Sequence, residues 1–169
     1  MVGRSVITSE SWKTLHWKKF RRNLFCLQVR LWKAIQVGDK ARARKLQKLI
    51  LRSQSARLLA IRQVTQLNQG KKTAGVDGKA SLSVKERFEL NEILKNKVRH
   101  WEHQGLREIP IPKKDGTKRI LKVPTISDRA WQCLAKYAIE PACALHYSMH
   151  EATGLDLDAR RTMPRRYSS

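Results

Sequence analysis

WKTLHWKKFRRNLFCLQVRLWKAIQV, residues 12–37, decides the fold. Its apolar positions Phe20, Leu24, Leu27, Leu31 and Ile35 step by four, three, four and four, which sets one face of an α-helix. The stretch predicts a helix from Trp12 to Val37, capped by Ser9 or Ser11 and ended by Gly38-Asp39. Lys18, Lys19, Arg21, Arg22, Arg30 and Lys33 lie largely off the apolar stripe. Trp12, Trp17 and Trp32 are interleaved with them; a Trp at helical spacing fits a core more readily than a base-stacking platform.

The reading extends outward from there. A second helix is predicted from about Lys40 to Asn68, with Leu46, Leu49, Ile50, Leu58, Ile61 and Val64 inside and Arg42, Arg44, Lys45, Lys48, Arg52, Arg57 and Arg62 outside. Ser53-Gln54-Ser55 marks a bend, or a division into two shorter helices. Asn68 to Gly78 holds three glycines and two lysines, Lys71 and Lys72, beside Thr73, and reads as a basic loop whose backbone can approach a phosphate. It is not a P-loop, because Val76-Asp77 stands where Lys-Ser/Thr is required. A third helix is predicted from about Val84 to His103, with Leu90, Ile93, Leu94, Lys97 and Trp101 on one face. The period then changes. Leu106–Pro112 and Arg119–Pro124 flank Asp115-Gly116, the signature of a β-hairpin with a basic tip of Lys113, Lys114, Lys118 and Arg119. A fourth helix, capped by Ser127 or Asp128, is predicted through about Ile139 with Ala130, Leu134, Ala135 and Ala138 buried. The fold class expected is mainly α with a small antiparallel β-hairpin.

The chain has 169 residues and a net charge of +22. Residues 1–72 hold 18 basic and 2 acidic side chains (Glu10 and Asp39), a balance of +16; residues 73–169 hold 18 and 12, a balance of +6. The first segment cannot neutralise itself by internal pairing, so a polyanionic partner, nucleic acid, is expected. Hydrophobic residues at 41% allow a core and argue against full disorder. No apolar run is long enough to span a bilayer, and residues 1–10 carry no secretory signal pattern. The odd, widely spaced Cys26, Cys133 and Cys143 read as reduced thiols. No nucleophile–base set is recognisable. Cys143, His146 and His150 offer three metal ligands but lack a second cysteine pair, so no metal site and no cofactor are expected.

Longer motifs carry a resemblance. They are Ser53-Gln54-Ser55-Ala56-Arg57-Leu58-Leu59-Ala60-Ile61-Arg62-Gln63-Val64-Thr65, Asn68–Gly78, Ile111-Pro112-Lys113-Lys114-Asp115-Gly116, Val123-Pro124-Thr125-Ile126-Ser127-Asp128-Arg129-Ala130, Gln132 and Glu140-Pro141. Through these, Trp12 to Pro141 resembles the N-terminal part of the reverse transcriptase/maturase encoded by bacterial and organellar group II introns. The resemblance implies an N-terminal tail (1–11), an N-terminal extension (12–78) and the start of the fingers (79–141, hairpin 106–124). It implies a role in gripping intron RNA and template through the basic helices and the loop: Lys18, Lys19, Arg21, Arg22, Arg30, Lys33, Arg57, Arg62, Lys71, Lys72 and Thr73. It assigns Lys113 and Arg119 to the triphosphate of an incoming nucleotide. The sequence departs from the family's Arg-Pro-Leu-Gly-Ile-Pro-Thr at Arg119–Thr125.

The family's palm, with its Tyr-Ala-Asp-Asp block, has no counterpart in these residues. Mg²⁺ is therefore expected only with a full-length polymerase, and no polymerisation by this chain alone. Residues 142–169 show no coherent period and are expected to be disordered. Read one nucleotide upstream, codons permitted by Tyr147–Ser169 yield F-H-A-R-S-Y-G-F-R-P-G-R, close to the family's next block, so this tail is compatible with out-of-frame translation. The functional expectation is an RNA-binding fragment in a bacterial cytoplasm or an organelle. The alternatives are the fingers subunit of a split polymerase with a separate palm chain, and a stand-alone RNA-binding or chaperone protein.

Overall fold

The computed structural model describes residues 9–114 and 116–152, the side chains of 9–10 and 143–152 aside. The chain forms six helices, α1 (Ser9–Lys13), α2 (Trp17–Gln36), α3 (Lys40–Arg52), α4 (Gln54–Arg62), α5 (Val84–Lys97) and α6 (Ile126–Ala152), and one antiparallel hairpin of β1 (Arg107–Pro112) and β2 (Lys118–Val123). The mainly helical architecture with a two-stranded sheet agrees with the sequence reading.

The helix predicted over 12–37 is broken. The chain turns at 14–16, where Trp17 N–H reaches Leu15 O at 2.7 Å, and α2 starts afresh at Trp17. The break lets the Trp12 ring fold inward, edge-on to Trp17 and Phe88, with its Nε1 donating to Gln66 Oε1 at 3.1 Å. A buried indole with a satisfied N–H outweighs the helical turn given up to place it. α2 ends in a Schellman arrangement: Gly38, at φ 73°, donates to Ile35 O, and Asp39 N–H to Ala34 O. Asp39 then caps α3 by accepting from Arg42 N–H at 2.9 Å.

α4 occupies the centre. Residues 55 to 61 are all buried, as expected of a helix covered on every side. Ala56, Leu59 and Ala60 face a cluster with Leu24, Leu31, Leu46, Ile50 and Leu134, while Leu58 and Ile61 face Trp12, Leu90, Leu94 and Ala130. Helices from 12–78 and from 79–141 thus share both clusters. Of the two alternatives at Ser53-Gln54-Ser55, the structure has the division into two shorter helices: an extended Ser53 separates α3 from α4, so no single helix runs from Lys40. Nor does α4 reach Asn68. It passes into a π-turn (Gln63–Leu67) and then a 3₁₀ turn (Gln69–Lys72).

α5 opens with a reciprocal cap missed in the sequence: Ser83 Oγ accepts from Glu86 N–H, and Glu86 Oε2 accepts from Ser83 N–H at 2.8 Å. It stops at Lys97, short of the predicted His103, because Trp101 leaves the helix axis to donate its Nε1 to Asp128. Ile93, expected inside, is exposed.

α6 runs past Pro141 instead of ending near Ile139. Pro141 has no N–H to give Tyr137 O, and Gln28 Nε2 of α2 donates to that carbonyl instead, at 3.1 Å. The helical backbone of 142–152 departs from the disorder expected there. The rest of the expected tail, 153–169, lies outside the described residues, as do the Cys143, His146 and His150 side chains. No described helix is long and apolar enough to cross a membrane.

Candidate nucleic-acid interface

α2 buries Leu24, Leu31 and Ala34 and leaves Lys18, Lys19, Arg21, Arg22, Arg30 and Lys33 exposed. α3 repeats the pattern, with Ala43, Leu46 and Ile50 inside and Arg42, Arg44, Lys45 and Lys48 outside. From Trp17 to Arg62 the chain carries fourteen Lys and Arg and a single acid, Asp39, whose carboxylate is engaged as the α3 cap. Among the described residues every ion pair lies at or beyond Lys79. The cations of α2 and α3 therefore have no acidic partner among the described residues, and their field is not cancelled by ion pairing there.

Several expected contacts are placed elsewhere. Arg57, in the central helix, is 5% exposed. Its Nη1 donates to Arg52 O at 2.7 Å and its Nε to Asn91 Oδ1 at 3.3 Å, which ties the α3–α4 break to α5. The structure thus corrects its assignment to the RNA-facing set: an arginine on a helix buried all round has no outer face to stand on. Arg62 is half-buried with its guanidinium 4.5 Å from the Trp17 ring centroid. Lys71 Nζ donates to Gln66 O at 2.8 Å, and Lys72 is exposed. Of the interleaved tryptophans, Trp12 and Trp17 join the core, while Trp32 is 42% exposed.

The Asn68–Gly78 loop is not a loose cradle. Arg129 of α6 reaches into it, Nη1 donating to Gly70 O at 2.8 Å and Nη2 to Thr73 O at 2.9 Å. Gly75 packs against α6's first turn so closely that a Cβ there would lie 2.8 Å from Thr125 Cα. The glycine expected to approach a phosphate instead approaches protein backbone. Thr73 contributes its carbonyl to Arg129 and is half-buried.

Beneath the loop sits a polar hub that sequence reasoning missed. Asp128, 1% exposed, accepts from Trp101 Nε1 (2.8 Å), Thr125 Oγ1 (2.8 Å) and Gln104 N–H (3.2 Å), with His103 Nδ1 at 3.1 Å. Burial pushes the carboxyl up, but these hydrogen bonds outweigh it and hold Asp128 below the ordinary aspartate range. The Thr125-x-x-Asp128 spacing was the available signal: Asp128 N–H donates to Thr125 Oγ1, so Thr125, not Ser127 or Asp128, caps α6.

On the hairpin, Lys113 N–H donates to Thr117 O across a turn whose Gly116 has φ 80°. Lys113 and Arg119 are exposed on opposite arms near that turn, Arg119 opposite Ile111. The structure therefore presents two separated basic regions, the outer faces of α2 and α3 and the hairpin tip. Among the described residues no group of His, Cys, Asp and Glu could hold a metal ion.

Residues 12–94 match the family model described as the N-terminal domain of reverse transcriptase. The chain is 43% identical over 141 residues to the maturase-like protein 1 of Euglena gracilis, covering 83% of this chain and 31% of that protein. It is 42% identical over 141 residues to the maturase-like protein 1 of Euglena longa, covering 83% and 30%. The chain thus spans less than a third of the length of these curated relatives.

Proposed function

From a chain that carries the N-terminal region of the group II intron reverse transcriptase/maturase family, we propose that it is an RNA-binding module, docking on the backbone of structured intron RNA. The observation that carries this reading is the unpaired charge of α2 and α3: twelve cations on the two helices, with the one nearby acid, Asp39, engaged as a cap. Lys18, Lys19, Arg21, Arg22, Arg30 and Lys33 are the primary contacts, with Lys72 of the loop a further one. Each cation seated on a phosphate releases a counterion, so affinity falls steeply with salt. The hairpin cations Lys113 and Arg119 form a second contact region, for a phosphate group of template or nucleotide. The contribution proposed for these residues is binding. The Euglena relatives favour an organellar setting over a bacterial one.

The test is the salt dependence of affinity for a structured intron RNA. Lys18→Glu combined with Arg22→Glu is expected to weaken binding at least tenfold and to reduce the slope of log K against log salt by about 2, one unit per lost phosphate contact. An unchanged slope sinks the assigned face.

A second reading, assembly with a separate palm-bearing chain, is favoured by the apolar surface of the hairpin. Ile120 is 56% exposed, and Leu106 and Leu121 are exposed with it. Polymerisation only on mixing the two chains is the expected result; a mixture as inactive as either chain rules it out.

A further inference from the structure

We propose that the groove between α2, the π-turn and α6 holds one unpaired RNA base, so that this face senses an unpaired base as well as backbone charge. The inference rests on the RNA-binding reading above and adds a base-recognition site to it.

The groove encloses about 540 Å³, within the range of small-ligand sites. Its walls carry carboxamides from three separate elements: Gln28 of α2, Gln63 of the π-turn with Asn68 after it, and Gln132 of α6. Two of these groups are already oriented. Gln28 Nε2 is committed to Tyr137 O, the carbonyl that Pro141 vacates, at 3.1 Å. Gln63 Nε2 donates to Asn68 Oδ1 at 2.8 Å, beside the backbone bond from Asn68 N–H to Gln63 O that closes the π-turn. A carboxamide bonded at one end is fixed in rotation and offers its other end. Gln28 and Gln63 therefore keep an acceptor oxygen and Asn68 a donor nitrogen, while Gln132 makes no hydrogen bond to a described residue. Fixed donors and acceptors set among the apolar surface of Val64, Cys133 and Tyr137 match the edge and face of a nucleobase, whose edge Asn and Gln read in pairs. Lys136 at the rim, 3.9 Å from Glu140, adds a cation for the attached phosphate. π-Turns of this kind concentrate at functional sites.

The path to the groove is on α2. Arg21, Phe25, Gln28 and Trp32 are spaced by four, three and four, which puts them on one stripe. Phe25 is 48% and Trp32 42% exposed, the kind of aromatic surface on which unpaired bases stack. A strand drawn to the cations of α2 and lying on this stripe passes Gln28 and the groove mouth.

Two cysteines separate this inference from the reading it rests on. Cys133 lines the groove; Cys26 is exposed on α2, four residues after Arg22 and seven before Lys33. The full chain is treated with N-ethylmaleimide, and labelling is quantified per cysteine by peptide mass spectrometry. This is done with an RNA hairpin bearing one unpaired adenosine in its stem, and with the same hairpin fully paired. Burial pushes the Cys133 thiol up, so labelling is run at mildly alkaline pH. The expected result is protection of Cys26 by both RNAs and of Cys133 by the bulged RNA only. In parallel, the bulged hairpin is expected to bind about tenfold tighter than the paired one, and Gln132→Ala to abolish that preference without weakening the paired complex. Protection of Cys26 with equal labelling of Cys133 in both complexes overturns the base site and leaves the electrostatic reading standing, as does a preference that survives Gln132→Ala. Protection of neither cysteine overturns both.

Discussion

Arg57 and Lys18 carry the same charge and do opposite work. Removing the Arg57 guanidinium strands Asn91 Oδ1 in a buried setting and leaves Arg52 O without its donor at a part-buried one, a loss of about 1–3 kcal/mol. Arg57→Ala is expected to lower the urea midpoint while the folded variant binds RNA as tightly as before. Lys18→Ala should leave the midpoint in place and weaken binding. The Asp128 hub makes a second prediction at this scale. Its carboxyl is held below the ordinary range in the folded state, so its contribution is fully present above the titration of an unfolded aspartate. That contribution is lost as pH falls below about 4, through the folded value. Chemical unfolding from pH 7 downward should show a drop in stability there that is smaller in Asp128→Ala, which keeps the part due to Glu86. That variant is also weaker at neutral pH by about 2–3 kcal/mol, because the Trp101 and Gln104 donors lose their acceptor.

Elements explain which parts of this were legible from the residues. The apolar stripe of α2 and the hairpin around Asp115-Gly116 follow from local spacing and turn chemistry, and the structure has both. The breaks do not. The turn at 14–16 exists because Trp12 finds Phe88 and Gln66, more than fifty residues away. α6 survives Pro141 because Gln28, on another helix, takes the orphaned carbonyl. Arg57 looked like one cation among many, although its neighbours Ala56, Leu58, Leu59, Ala60 and Ile61 already describe a helix apolar on both sides. The glycine loop was read for composition; its shape is set by Arg129 and by contact of Gly75 with Thr125. Gly75→Ala inserts a methyl 2.8 Å from backbone that cannot step aside, at a cost of about 1–3 kcal/mol. Tryptic cleavage after Lys71 and Lys72 is expected to accelerate in this variant; wild-type cleavage rates contradict a pinned loop.

At the scale of the whole molecule, charge and core are segregated. Among the described residues the ion pairs lie from Lys79 onward: Glu86, for instance, is held at about 2 by Lys79 and then by its bonds to Ser83. The uncompensated cations lie before it, on the outer faces of helices whose inner faces build the two clusters around α4. One body therefore has a strongly basic side, and the basic side is where RNA is expected. Lysine acetylation footprinting of the full chain, with and without a structured intron RNA, tests this most directly. The account predicts protection of Lys18, Lys19 and Lys33 on α2, while Lys85 and Lys95, paired with acids on α5, are modified as in the unbound chain. Protection of the α5 lysines with none on α2 would contradict it.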